Sequence, residues 1–153
     1  MEMNIEAIVP IIKEVILSGS QFRLYPSGKS MYPTIVEKKD SVMLEAPKDL
    51  KAGDAVFYRR ENGQYVLHRI MKVRKDSYDM CGDNQVWIER KVPADYVIAK
   101  MTGIFKNDVY INTEDESYKK QIKELNRKKA FPRLWCSFKQ LIYPVYALIF
   151  KRK

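Results

Sequence analysis

The residues that could do chemistry are few, and they fall in three short stretches. The first is Pro26-Ser27-Gly28-Lys29-Ser30-Met31-Tyr32-Pro33-Thr34-Ile35. The prolines restrict its backbone, and Gly28 permits angles that other residues avoid. Such a segment is a rigid loop able to fix the Ser30 hydroxyl in one place, or an ordinary turn with a solvated serine. Serine is a poor nucleophile at neutral pH unless a base takes its proton. The second stretch holds the chain's one histidine, His68, in Tyr65-Val66-Leu67-His68-Arg69-Ile70. Strand alternation puts His68 on the face with Val66 and Ile70, partly shielded from water. A free imidazole titrates at about 6.5, which suits proton transfer near neutrality. A core histidine satisfied by a backbone group fits the same pattern. The third stretch is Cys81-Gly82-Asp83-Asn84-Gln85. A carboxylate beside an imidazole fixes its tautomer and steadies the imidazolium. An Asp-Asn turn can equally well bond only its own backbone.

Taken in order, these stretches resemble the boxes of the signal peptidase and SOS-repressor peptidase superfamily (S24/S26). Gly28 to Thr34 is similar to the Gly-x-Ser-Met-x-Pro-Thr nucleophile box, which implies that Ser30 is the nucleophile. Gly53-Asp54-Ala55-Val56, a hairpin, and Val66 to Ile70 together resemble the second signature region. The base there is lysine in the bacterial branch. It is histidine in the branch typical of the endoplasmic reticulum, archaea and some spore-formers. The chain resembles the histidine branch, which implies His68 as general base. Cys81 to Gln85 is similar to the Gly-Asp-Asn signature, and Asp83 is expected to orient His68. Histidine-type relatives usually carry another aspartate shortly after this box. Here only Glu89 follows, after Val86-Trp87-Ile88, as an auxiliary carboxylate.

The resemblance implies oxyanion donors too: the Ser30 N–H and the Ser27 hydroxyl. Ser27 departs from the bacterial spacing by one residue, because Lys29 stands between Gly28 and Ser30. Lys72 lies further along the His68 face as a geometric substitute for the base. Cys81 is an alternative nucleophile with no motif of its own, and Lys29 is expected to face solvent. The likeness covers roughly residues 23–105. It implies a serine endopeptidase cutting after small residues in an extended, leader-like or signal-like peptide near a membrane, with no metal or cofactor. One alternative is a self-cleaving regulator of the SOS-repressor type. Those use lysine as base and carry a DNA-binding domain ahead of the body, for which too few residues precede Ser30. The other is a non-catalytic membrane-surface or peptide-binding module on the same fold.

The elements that must position these groups read as mainly β. Short strands are expected at 21–25, 41–45, 55–60, 65–73, 77–81, 96–105 and 109–111, with Asn62-Gly63 a strong hairpin turn. They suggest a barrel-like β-rich body. Asn4 to Leu17 reads as a helix with Ile5, Ile8, Val9, Ile12 and Ile16 on one face, Pro10 at its middle and Gly19 as its stop. Glu116 to Lys129 reads as a polar helix. A separate segment from Pro132 gathers Leu134, Trp135, Phe138, Leu141, Ile142, Val145 and Ile149 on one face, with a kink expected at Pro144. The division expected is a peptidase-like domain over 1–115 and a basic helical extension over 116–153.

A chain of 153 residues is one domain by length. Its two cysteines have no metal or disulfide spacing, as in a reduced interior. The charge is uneven. From Tyr118 onward eleven Lys and Arg face one acid, a net +10, which leaves residues 1–117 at −1. An anionic partner therefore meets the tail. A Leu/Trp/Phe/Ile face with basic flanks can lie in a bilayer interface, and residues 131–153 are expected either to do so or to pack back on the body. Nucleic acid is the weaker expectation, since no helix-turn-helix, zinc or aromatic-platform motif is present. Glu2 and Glu6 stand where a signal peptide would carry cations, and no run reaches the ~20 apolar residues of a membrane span. The expected location is the cytoplasm or the inner membrane surface.

Overall fold

A computed structural model of the protein describes residues 5–150, with side chains through 142. Its order is α1 (Ile5–Leu17), β1 (Phe22–Leu24), β2 (Ser41–Glu45), β3 (Ala55–Arg59), β4 (Tyr65–Val73), β5 (Ser77–Cys81), β6 (Glu89–Pro93), β7 (Val97–Lys106), β8 (Val109–Asn112) and α2 (Glu116–Phe150). The eight strands form one sheet in the order β1-β2-β7-β3-β4-β5-β6, with β8 paired to β7. Every pairing is antiparallel. The mainly β body with flanking helices is the fold class expected.

β3 lies between β4 and β7, so both its edges are paired, and its two faces enter two apolar clusters. Ala55 and Phe57 join a larger core with Leu44, Leu67, Met101 and Ile104, into which α1 sinks Val9, Ile12 and Ile16. Val56 and Tyr58 face the other way, into a second cluster with Ile70, Met80 and Val92. Each fully buried side chain of this size contributes roughly 1.5–3 kcal/mol. The β3–β4 hairpin turns where expected, with Gly63 at φ 88°. Gly19, at φ 83°, closes α1 in the left-handed conformation that glycine adopts freely.

The sequence reading is corrected in two places. β6 was not expected, because Glu89-Arg90-Lys91-Val92-Pro93 lacks apolar alternation. The C-terminal region is one helix of 35 residues rather than a polar helix and a separate segment, and Pro132 lies inside it. Tyr118 and Ile122, near its start, belong to the main core. The side chains of Val145 and Ile149 lie outside the described residues.

Candidate active site

The Ser30 loop is pinned from below and from the side. Met31, Thr34 and Ile35 are buried, so the residues after Ser30 anchor in the core. Gly28, at φ 89°, donates its N–H to Glu37 Oε1 at 2.8 Å. The Ser30 carbonyl accepts the Asn84 N–H at 2.7 Å, which ties the first stretch to the third. Gly82 makes that approach possible. A Cβ there would come 2.6 Å from the Ser30 carbonyl oxygen, closer than real Cβ atoms stand. The third stretch is thus a latch on the serine loop.

His68 stands across β3 from Val56 and is almost fully buried. β4 pairs with β5 through Arg69 and Cys81, the residues next in sequence to His68 and Gly82. The strand that carries the imidazole and the loop that carries the serine are therefore both tied to β5 and the turn that follows it. His68 Nδ1 lies 3.3 Å from Glu89 Oε1 and 3.2 Å from the Tyr58 hydroxyl. Tyr58 in turn donates to Glu89 Oε2 at 3.0 Å. A carboxylate only accepts, so Nδ1 carries the proton, and in the neutral ring it is Nε2 that presents the lone pair. Burial opposes charge on Glu89, but hydrogen bonds from His68 and Arg60 outweigh it and hold its pKa at about 2. Burial, and then the Glu89 charge, push the Tyr58 phenol upward, which keeps it a donor.

Asp83 does not orient His68, and this corrects the expected assignment. Its carboxylate is held by Arg69, with Nε to Oδ1 at 2.7 Å and Nη2 to Oδ2 at 2.6 Å. Both side chains are fully buried. Burial works against the Arg69 charge, but the bond to Asp83 outweighs it and raises the pKa. Arg69 also donates to the Gly53 carbonyl at 2.6 Å and the Tyr118 hydroxyl at 3.3 Å. The physical reason is alternation: Arg69 points to the sheet face opposite His68, and it takes the acid of the turn with it. The carboxylate beside the imidazole is Glu89, delivered by β6, where Met80 pairs with Glu89. Tyr58 and Arg60 complete that cluster and were not singled out in the sequence. Their alternate positions, Tyr58 on β3 and Arg60 just past its end, ahead of the Asn62-Gly63 turn, were the available signal.

Among the described residues no hydrogen bond joins Ser30 to His68, and neither Ser30 Oγ nor His68 Nε2 has a partner. The Ser30 N–H also lacks an acceptor among the described residues. Catalytic hydrogen bonds are often long before substrate binds. Lys72 is displaced by the irregularity between Ile70 and Lys72 and is exposed. Cys81 is fully buried, and burial raises its thiol pKa, so it is no nucleophile. Lys29 and Ser27 are exposed.

Ser30 opens onto a cavity of about 500 Å³. One wall is Leu24 to Gly28, the other is Tyr65, Val66 and Leu67, and Ile5 and Ile8 of α1 close an end. On β4 the ladder with β5 begins at Arg69, so among the described residues 65–68 pair only with β3. Their second backbone edge is unpaired beside the cavity. An extended peptide laid there would gain main-chain hydrogen bonds, the mode known as β-augmentation.

An antiparallel body that latches a Gly-x-Ser-Met loop onto a Gly-Asp-Asn turn is peptidase-like in architecture. A family model described as Peptidase S24-like matches residues 2–106, and the chain belongs to that family. No curated protein and no solved structure matches it. Membership sets the coarse class, which takes in serine peptidases and self-cleaving regulators.

Proposed function

We propose that the chain is a serine endopeptidase of the histidine-type, signal-peptidase-like kind, with Ser30, His68 and Glu89 as its working groups. The observation that carries this reading is the tautomer at His68. Glu89 and Tyr58 occupy Nδ1, Nε2 has no partner among the described residues, and the serine is latched to the turn after β5, the strand paired with the one that carries His68. A peptide bound in the cavity presents its carbonyl carbon to Ser30 Oγ. As the C–O bond forms, the Ser30 proton passes to Nε2, and Glu89 steadies the imidazolium. Negative charge on the carbonyl oxygen meets the Ser30 N–H, with Ser27 on the cavity wall as a second donor. The C–N bond then breaks, and His68 returns its proton to the leaving amine. Water repeats the sequence on the acyl-enzyme and releases the acid. The resemblance favours an extended leader-like or signal-like peptide cut after a small residue.

Model pre-protein peptides, incubated with wild type and with Ser30→Ala and read by mass spectrometry, test the reading. Cleavage by wild type, lowered at least ~10³-fold in Ser30→Ala, is expected. Equal cleavage by both removes Ser30 as nucleophile. Products that arise only from the chain itself favour a self-cleaving regulator.

A further inference from the structure

We infer that α2 is a docking device for an anionic lipid surface, and that it holds the serine latch close to that surface. This stands apart from the peptidase reading, because it rests on a helix face that the reaction does not use. The inner face of α2 is settled. Tyr118, Ile122 and Arg133 are buried against the body, at spacings that keep them on one side of the helix. The opposite side points away from the body and changes character along its length. Lys120, Arg127 and Lys128 make its first part basic and exposed. From Phe131 it becomes apolar: Phe131, Leu134, Trp135, Phe138, Leu141 and Ile142 are 43–75% exposed. Six neighbouring apolar side chains, three of them aromatic, exceed the scattered hydrophobics of an ordinary surface.

The charge says what covers this face. Residues from Tyr118 onward carry a net +10, so a second copy of the same helix would be repelled while an anionic surface is attracted. The depth of engagement is set as well. Among the described residues no helix is long and apolar enough to cross a membrane, so α2 lies on the surface with aromatic groups at headgroup depth. Lys139 sits 5.5 Å from the Trp135 ring, a cation held beside an interfacial aromatic.

The link to the serine runs through Arg133, on the inner side of the turn where the outer side becomes apolar. Its guanidinium donates to the carbonyls of Gln85 at 3.3 Å and Gly82 at 3.4 Å, and to Asn126 at 2.7 Å. Gly82 and Gln85 flank Asn84, whose N–H holds Ser30. Trp87 and Val86, on the same loop, are exposed as well. A bilayer contacted by the outer face of α2 therefore lies one helix diameter, roughly 10 Å, from the loop that positions the nucleophile.

Co-sedimentation of the full chain with vesicles tests this. Phosphatidylglycerol–phosphatidylcholine vesicles are compared with phosphatidylcholine alone, at low and high salt. The proteins are wild type, Trp135→Ser/Phe138→Ser and Lys120→Gln/Arg127→Gln. The substituted side chains are all exposed, and circular dichroism checks that each variant folds. Wild type should pellet with anionic vesicles only, and less at high salt. The aromatic variant should bind at least ~10-fold more weakly and the lysine–arginine variant several-fold more weakly. Equal pelleting of wild type and the aromatic variant overturns the inference. So does a concentration-dependent dimer, abolished by the aromatic changes, in a chain that ignores vesicles. Binding is read without cleavage, so failure here leaves the peptidase reading intact, and loss of cleavage in Ser30→Ala leaves this one intact.

Discussion

Two carboxylates stand near the proposed nucleophile, and they have different work. Asp83 is one half of a buried ion pair with Arg69, and removing one partner of such a pair strands the other charge. Asp83→Asn should therefore lower stability by about 3 kcal/mol or more, visible as an earlier denaturant midpoint. Glu89 keeps partial access to water and contacts the imidazole. Glu89→Gln should lower stability at neutral pH by at most the roughly 3 kcal/mol that the depressed carboxylate pKa represents, while kcat falls about 10²–10⁴-fold because the amide no longer enforces the working tautomer. Full activity in Glu89→Gln, with activity lost in a folded Asp83→Asn protein, would reverse these roles. The sequence made Ser30 and His68 legible through the type and order of residues around them. It assigned the carboxylate to 83 because the Gly-Asp-Asn resemblance pointed there, and that acid pairs with Arg69 on the other side of the sheet. Which face an acid reaches depends on strand pairing, and β6 carried no apolar alternation to announce itself.

At the scale of elements, the serine loop is held by another loop rather than by a strand or helix of its own. Gly82→Ala tests that latch. The added methyl meets the Ser30 carbonyl oxygen at 2.6 Å and the Gln85 side chain at 3.0 Å, so the serine loop must move. Small-to-large changes of this kind cost ~1–3 kcal/mol, while a displacement near 1 Å at a reacting group costs about 10²-fold in rate. A folded Gly82→Ala protein with kcat lowered to that extent, against a KM moved only slightly, is the expected result. Unchanged kcat would show that the latch does not set the position of Ser30. The strands and the first hairpin were legible because turn residues and alternation mark them locally. The continuous α2 was not, because Pro132 reads as a break in one dimension. Which side of α2 meets the body was not legible either, and it is fixed by Tyr118, Ile122 and Arg133 together.

For the molecule as a whole, the Glu89 cluster gives stability a pH dependence of definite sign. Its folded pKa, about 2, lies below the ordinary 4.5. The contribution is therefore fully present above pH 4.5 and is lost as pH falls from there toward 2. Thermal melts from pH 7 to pH 2 should show wild type losing up to about 3 kcal/mol more across that interval than Glu89→Gln. Parallel curves would mean that the cluster adds nothing to folding. The unpaired edge of β4 has a different consequence. A slot that recognises main-chain amides can be filled only by a segment already released from its own sheet or helix. Under the peptidase reading, the protein would then sort its targets by conformational state before composition: the same residues would be spared inside a finished domain and cut while still a loose strand. Timing relative to the target's folding would decide what is processed.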